Sequence, residues 1–264
     1  MRCAAGLFAL ALCLPTLCVP QAAMAASVVL KQVGPPAVYR PGGHPIDVLG
    51  ISPGMGPDAV REALSQHYGN VVVTQNNLGL ENGGNVVQTQ NFITEMQAQK
   101  DIDQMAVWFG TPTTGNAVVE VTRQQSFRDE SAAPPLQEVR AELIAKYGKP
   151  GFDGTATGSG EVLLMAWSFH GDKPSPCPHS SCRMGLSEGL DITNLPAYDR
   201  AIKSGHQLTL VVTLIAGIAD PSRAAGIVTQ MSDAATKYRT LETAVSQMKT
   251  AVTGPRRKEP KSDE

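Results

Sequence analysis

The chain is poor in aromatic residues (5%) and in charged ones (17%). It has no excess of base over acid: 22 Lys+Arg stand against 24 Asp+Glu. That balance argues against a nucleic-acid binder, which carries a basic face. Past the N-terminal region no apolar run approaches the roughly 20 residues of a membrane-spanning helix. Three of the five cysteines, Cys3, Cys13 and Cys18, lie within the first 25 residues.

Catalytic constellations are equally scarce. The loop GTATGSGE at 154–161 is glycine-rich, but no Lys-Ser or Lys-Thr follows it and no helix opens behind it, as a phosphate cradle requires. His170 and Asp172 flank Gly171, with Ser180 and Ser181 a loop away. No nucleophile elbow accompanies them, so no catalytic residue, cofactor or metal site is assigned.

What is present begins at the N-terminus, MRCAAGLFALALCLPTLCVPQAAMAAS. Arg2 supplies a basic start, Gly6 to Leu14 a short apolar run, and Ala23-Met24-Ala25 an A-x-A cleavage site. This is the pattern of a secretory signal peptide. The mature chain is expected to start at Ala26, without a transmembrane span, in the periplasm or outside the cell. A lipid anchor needs a small residue before its cysteine, yet Cys13 follows Leu12 and Cys18 follows Leu17.

Export places Cys177 and Cys182, in SPCPHSSCRM, in an oxidising compartment, where a disulfide closing a small loop is expected. The alternative is a metal site using His179 and, more remotely, His170. A structural zinc site wants four ligands in recognisable spacing, and these residues do not supply it. A thioredoxin-like motif would place two residues between the cysteines, not four.

Two stretches nearly rhyme: VREALSQHYG at 60–69 and VRAELIAKYG at 139–148. The first follows Gly56-Pro57, a modest cap with proline at the first helical position, and Asp58 suits the first turn. Val60, Ala63, Leu64 and then His67 or Tyr68 form one apolar face, and Gly69 can end the helix. In the second, Leu136, Val139, Leu143, Ile144 and Tyr147 form the face, Gly148 ends it and Pro150 stops it.

After each helix the period changes to two. Strands are expected near 70–74, 86–97, 104–109 and 117–125, then near 161–169 and 207–216. Met105-Ala106-Val107-Trp108-Phe109 echoes Met165-Ala166-Trp167-Ser168-Phe169. These echoes point to one module built twice. In each aromatic pair, Trp108/Phe109 and Trp167/Phe169, one member is expected in the core and the other on the outer face, available to a partner.

Asp220-Pro221 reads as the start of a final helix. Ile227, Met231, Ala234, Tyr238, Leu241, Val245, Met248 and Val252 follow in 4-3 spacing, a heptad seam. Docking on its own chain is the expected use of this seam, and pairing into a homo-oligomer the alternative; Tyr238 and Met248 join the four aromatics as candidate contacts.

Gly50-Ile51, Gly54-Met55, Val60 and Leu64 form one pattern, and Val139, Leu143 and Tyr147-Gly148-Lys149-Pro150, with Trp167-Ser168-Phe169 downstream, form another. Together they resemble the small outer-membrane lipoprotein module of the SmpA/OmlA type and the related fold of the β-lactamase-inhibitor protein. The resemblance spans some 40 residues of each half. It implies helices packed on small antiparallel sheets and a non-catalytic protein that binds other proteins. There is no lipobox cysteine, and Gly56 stands where that family has Ser or Thr.

The expected organisation is α+β: signal peptide 1–25, extended lead-in 26–44, first module 45–128, second module 129–219, C-terminal helix 220–253 and disordered tail 254–264. The expected function is binding of a protein or cell-envelope partner, with no nucleic acid. The alternative is a metal-binding or hydrolytic enzyme centred on the Cys177–Cys182 loop and His170.

Overall fold

The computed structural model describes residues 26–35, 39–40, 46–82, 85–156, 162–177 and 189–253. The chain is α+β, as the sequence implies. The first half runs β1 (Ala26–Val28), α1 (Pro57–Tyr68), β2 (Val71–Asn76), β3 (Gly79–Asn82), β4 (Asn85–Thr89), β5 (Phe92–Lys100), β6 (Asp103–Phe109) and β7 (Val118–Ser126). The second runs α2 (Leu136–Tyr147), β8 (Phe152–Ala156), β9 (Val162–His170), β10 (Lys173–Pro174), α3 (Leu195–Lys203), β11 (Leu208–Ala216), β12 (Ala224–Asp233) and α4 (Ala234–Thr253).

The two helices read from the rhyme form within their expected limits. Gly56 is extended before Pro57, and the amide of Gly69, at φ 86°, donates to the Ser65 carbonyl. Gly148, at φ 78°, closes α2 on the Ile144 carbonyl. Both positions need a left-handed residue, which glycine supplies without a Cβ penalty.

One nine-stranded antiparallel sheet receives strands from both halves. Its order is β10-β9-β11-β12-β7-β6-β5-β2, with β8 also on β9. The two small sheets of the sequence reading are thus joined, through β7 and β12, where Met231 faces Val121. Side chains alternate across a strand, so each row of the register belongs to one face. On the inner face, Val73, Met96, Val107, Val121, Met231, Leu210 and Trp167 stand in one such row. Val60, Leu64 and Tyr68 of α1 pack there, with half-buried Leu136, Val139 and Leu143 of α2. Both halves therefore share one core.

The aromatic echo does not follow strand order. After α1 the sheet strands come as β2, β5, β6, β7, so Trp108 and Phe109 lie on the third. After α2 they come as β8, β9, the two-residue β10, β11 and β12, so Trp167 and Phe169 lie on the second.

The final helix is shorter than its heptad. Residues 224–233 form the strand β12, paired with β11 on one side and β7 on the other. Ile227 and Met231 are four apart, a spacing that keeps residues on one face of a helix and of a strand alike. Their neighbours decide: β-branched Val228 and Thr229 suit a strand, and two strands await pairing. Asp220 caps no long helix; its Oδ1 accepts the Ser222 amide (3.0 Å) in a turn. The true cap is Asp233, whose Oδ1 accepts the Thr236 amide at 2.9 Å.

α4 docks on its own chain. Leu241 packs with Tyr198 and Ala201 of α3, and Ala244 and Met248 pack with Leu30 and Val87. Residues 26–35 are accordingly more than a lead-in. β1 pairs parallel with β4, and the Lys31 backbone exchanges hydrogen bonds with Gln247 of α4. Thr240 joins Thr111, Thr113 and Thr114 in a buried hydroxyl cluster that pins α4 to the turn after β6.

Candidate functional site

α1 and α2 cover the inner face of the sheet. α3 and α4 cover only one end of the outer face, where Lys237 of α4 meets Glu120 of β7. In the second half Leu164, Ala166, Val211 and Cys177 form a small outer-face core capped by Phe152. Among the described residues, what stays open is the outer face of the first half. Register places Val72, Gln97, Ala106, Thr122 and Gln230 in one row across it, and Gln99, Gln104, Gln124 and Val228 in the next. Together these rows floor a shallow groove of about 500 Å³ lined by Val72, Gln97, Gln104, Trp108, Thr122 and Gln124.

The groove is rich in neutral amides. Gln104 donates to Gln124 (2.9 Å), and Gln97 donates to Glu95 (2.7 Å), a carboxylate that also lines the groove. Thr122 Oγ1 is buried and has no hydrogen-bond partner among the described residues. Trp108 stands at the margin, half-buried, with Gly189 against its ring. A planar array of donors and acceptors beside an indole suits a partner bound through many polar contacts and one aromatic anchor.

The structure sorts the expected contact residues sharply. Trp108 and Phe109 are consecutive and point oppositely, so Phe109 is fully buried and Trp108 reaches the open face. Trp167 and Phe169 are two apart and share one face. Both are core, each 2% exposed, and the expectation that one of them faces outward is corrected. Trp167 Nε1 donates to the Gly148 carbonyl at 2.9 Å, and its ring meets Tyr147 edge-on. Met248 is fully buried, and so is also removed from the contact set. Tyr238 is half-buried and lines a second groove between α3 and α4, about 1060 Å³, with Leu195, Asp199, Val245 and exposed Val33.

Of the residues of the enzyme alternative, His170, Asp172 and Cys177 fall among the described ones. His170 is exposed at the end of β9. Asp172 Oδ1 accepts the Arg40 amide (2.6 Å). Ser180, Ser181, His179 and Cys182 lie outside the described residues; Cys177 is buried at 1% exposure. Among the described residues no three His, Cys, Asp or Glu side chains stand together as metal ligands. Sequence reasoning missed one serine–histidine pair: Ser168 Oγ lies 2.7 Å from His206 Nδ1. Their exposures, 2% and 4%, keep substrate from reaching this pair, and burial pushes the His206 pKa down. It ties β9 to the start of β11 as a core hydrogen bond.

Two charged clusters brace the fold around the open face. Lys237 and Glu120 form a fully buried ion pair, with the Lys237 ammonium 5.5 Å from the Tyr198 ring centroid. Burial pushes the Lys237 pKa down, and Glu120 opposes that shift. On the inner face Asp103 receives Arg123 Nε at 3.0 Å and the Tyr68 hydroxyl at 2.9 Å. Burial pushes its pKa up, but Arg123 and Tyr68 together pull it below the usual carboxylate range.

Comparison with protein-family models, with curated proteins and with solved structures finds no match for this chain. Among the described residues no helix is long and apolar enough to cross a membrane.

Proposed function

We propose that this is an exported, non-catalytic binding protein of the cell envelope, which engages a protein partner across the open outer face of β2, β5, β6 and β7. The observation that carries this reading is the groove itself. Eight of its side chains are neutral amides, valine, threonine or tryptophan, namely Asn70, Val72, Gln97, Gln99, Gln104, Trp108, Thr122 and Gln124. They sit on a sheet whose other face carries the shared core under α1 and α2. A scaffold of that kind presents a preorganised surface, which lowers the cost of association.

Three further elements belong to the proposal. Export rests on the N-terminal pattern Arg2, Gly6–Leu14 and Ala23-Met24-Ala25. A disulfide between Cys177 and Cys182 would close the loop after β10 and tie it to the outer-face core through buried Cys177. Duplication of one helix-plus-four-strand module, akin to the SmpA/OmlA and β-lactamase-inhibitor-protein folds, is supported by the mirrored strand order and by the two Tyr-Gly helix ends. The displaced aromatic echo does not contribute to that support.

The test is binding with two variants of the groove. Gln104→Lys adds a charge to the open face, and Trp108→Ala removes the anchor. Each is expected to weaken partner binding at least tenfold while leaving the thermal melt near wild type. Unchanged binding by both variants would remove the groove as the site.

A further inference from the structure

The nine-stranded sheet has two edges of opposite character. One is held by β8 and β10. There Asp153 is ion-paired to Arg140, Gly154 stands in the middle of β8, and Pro174 cannot donate to a neighbouring strand. Charge, glycine and proline are the usual guards of a sheet edge. The other edge is β2, with the sequence Val-Val-Val-Thr-Gln-Asn and no charge, proline or glycine. Among the described residues β2 pairs only with β5, and its register is regular from Val71 to Thr74. Val72 is 64% exposed on the outer face.

We propose that β2 pairs antiparallel with β2 of a second copy of this chain, continuing the sheet across a two-fold axis. What docks on a bare strand edge is another strand, because only that geometry satisfies a row of amides and carbonyls. The chemistry of β2 favours its own copy. Opposed residues in an antiparallel ladder face the same side, so the two-fold passes through a residue. Through Val72, it sets Val72 against its counterpart and Val71 against Val73. Through Val73, it sets Val72 against Thr74. Both registers oppose uncharged residues, with β-branched side chains facing one another at the centre, which are favourable cross-strand pairs. β2 has no charged side chain to pair with a charged partner strand.

One strand pair buries less than the roughly 800 Å² per partner of a standard stable interface, so self-association is weak and concentration-dependent. It would place two copies of the groove side by side, since Val72 lines it. A partner with two epitopes would then gain avidity. The pairing stands apart from what the groove binds, and either can fail alone.

The experiment is sedimentation equilibrium of the full mature chain from low micromolar to millimolar concentration. The wild-type mass should climb from monomer toward dimer. Val72→Lys should remain a monomer, because it sets two like charges directly opposite in one register and diagonally across the pairing in the other. Thr155→Lys, on the opposite edge, should associate as the wild type does. Hydrogen exchange on the wild type gives an answer free of folding effects: β2 amides should slow as concentration rises, and β8 amides should not. A wild type that stays monomeric throughout, a Val72→Lys variant that dimerises equally, or protection that appears at β8 instead would each overturn the proposal. A monomer that takes up an unrelated extended peptide at β2 would overturn the self-pairing in favour of strand capture.

Discussion

Lys237 of α4 and Glu120 of β7 form an ion pair that is fully buried, although 117 residues separate them in sequence. The pair fixes where α4 lands on the sheet and therefore how much of the outer face stays open.

Breaking that pair from one side should be costly. Lys237→Met leaves the Glu120 carboxylate buried without its cation, and such losses run to about 3–5 kcal/mol. Lys237→Met with Glu120→Leu should recover most of the loss, since a buried pair replaced by apolar residues is often neutral. Urea denaturation of the two single variants and the double variant closes the cycle. An additive double variant would show that the two side chains do not act on each other.

Asp233 should behave as a cap more than as a charge. Its Oδ1 accepts both the Thr236 amide and the Tyr39 hydroxyl, while Oδ2 has no hydrogen-bond partner among the described residues. Burial pushes its pKa up. A carboxyl raised in the folded state contributes stability that is complete below its unfolded value, about 3.9, and is lost as pH rises through the folded value. Asp233→Asn keeps the acceptor and should flatten that decline. Asp233→Ala loses the cap and should cost about 1 kcal/mol more than the Asn variant. Chemical denaturation at several pH values separates the two.

The Asp103 cluster has the opposite sign. Arg123 and Tyr68 hold its carboxyl below the usual range. Its stabilisation is therefore present above about pH 4 and fades as pH falls through the folded value. Asp103→Asn should lower stability at neutral pH and reduce the further loss between neutral and acid conditions. Equal acid sensitivity in wild type and variant would contradict the assignment.

The two tryptophans should separate stability from binding. Trp167 is core, and Trp167→Ala should cost about 3–5 kcal/mol, as truncation of a buried aromatic does. Trp108 is half-buried at the rim of the groove, and Trp108→Ala should cost about 1 kcal/mol or less in stability. Thermal melts of both variants beside a binding assay test the contrast.

Much of this architecture is written locally. Pro57, Gly69, Gly148 and Pro150 punctuate two helices, and alternation marks β6, which has one face in the core, whereas β9 and β11 are buried on both faces over most of their length. The misreadings arise where one spacing fits two structures. Ile227 and Met231 satisfy a heptad and a strand face equally, so β12 reads as the start of a helix. Trp167 and Phe169 look like neighbours with opposite fates, yet a gap of two places them together. The open face was not legible as a site, because Gln97, Gln104 and Gln124 come from three strands and read singly as solvated positions. Nor was the Glu120–Lys237 pair, since nothing local links the two residues. The register joins what the linear chain keeps apart.

The central claim is that a partner sits on the open outer face. Its most direct test places a photo-crosslinking side chain at Gln97, Gln104 or Gln124 in turn, with Arg61 and Glu138 as exposed helix controls. The account predicts one common crosslinked partner from the three sheet positions, absent from both controls and lost when Trp108→Ala is added. Crosslinks that appear equally at the helix positions, or that survive Trp108→Ala unchanged, would contradict it.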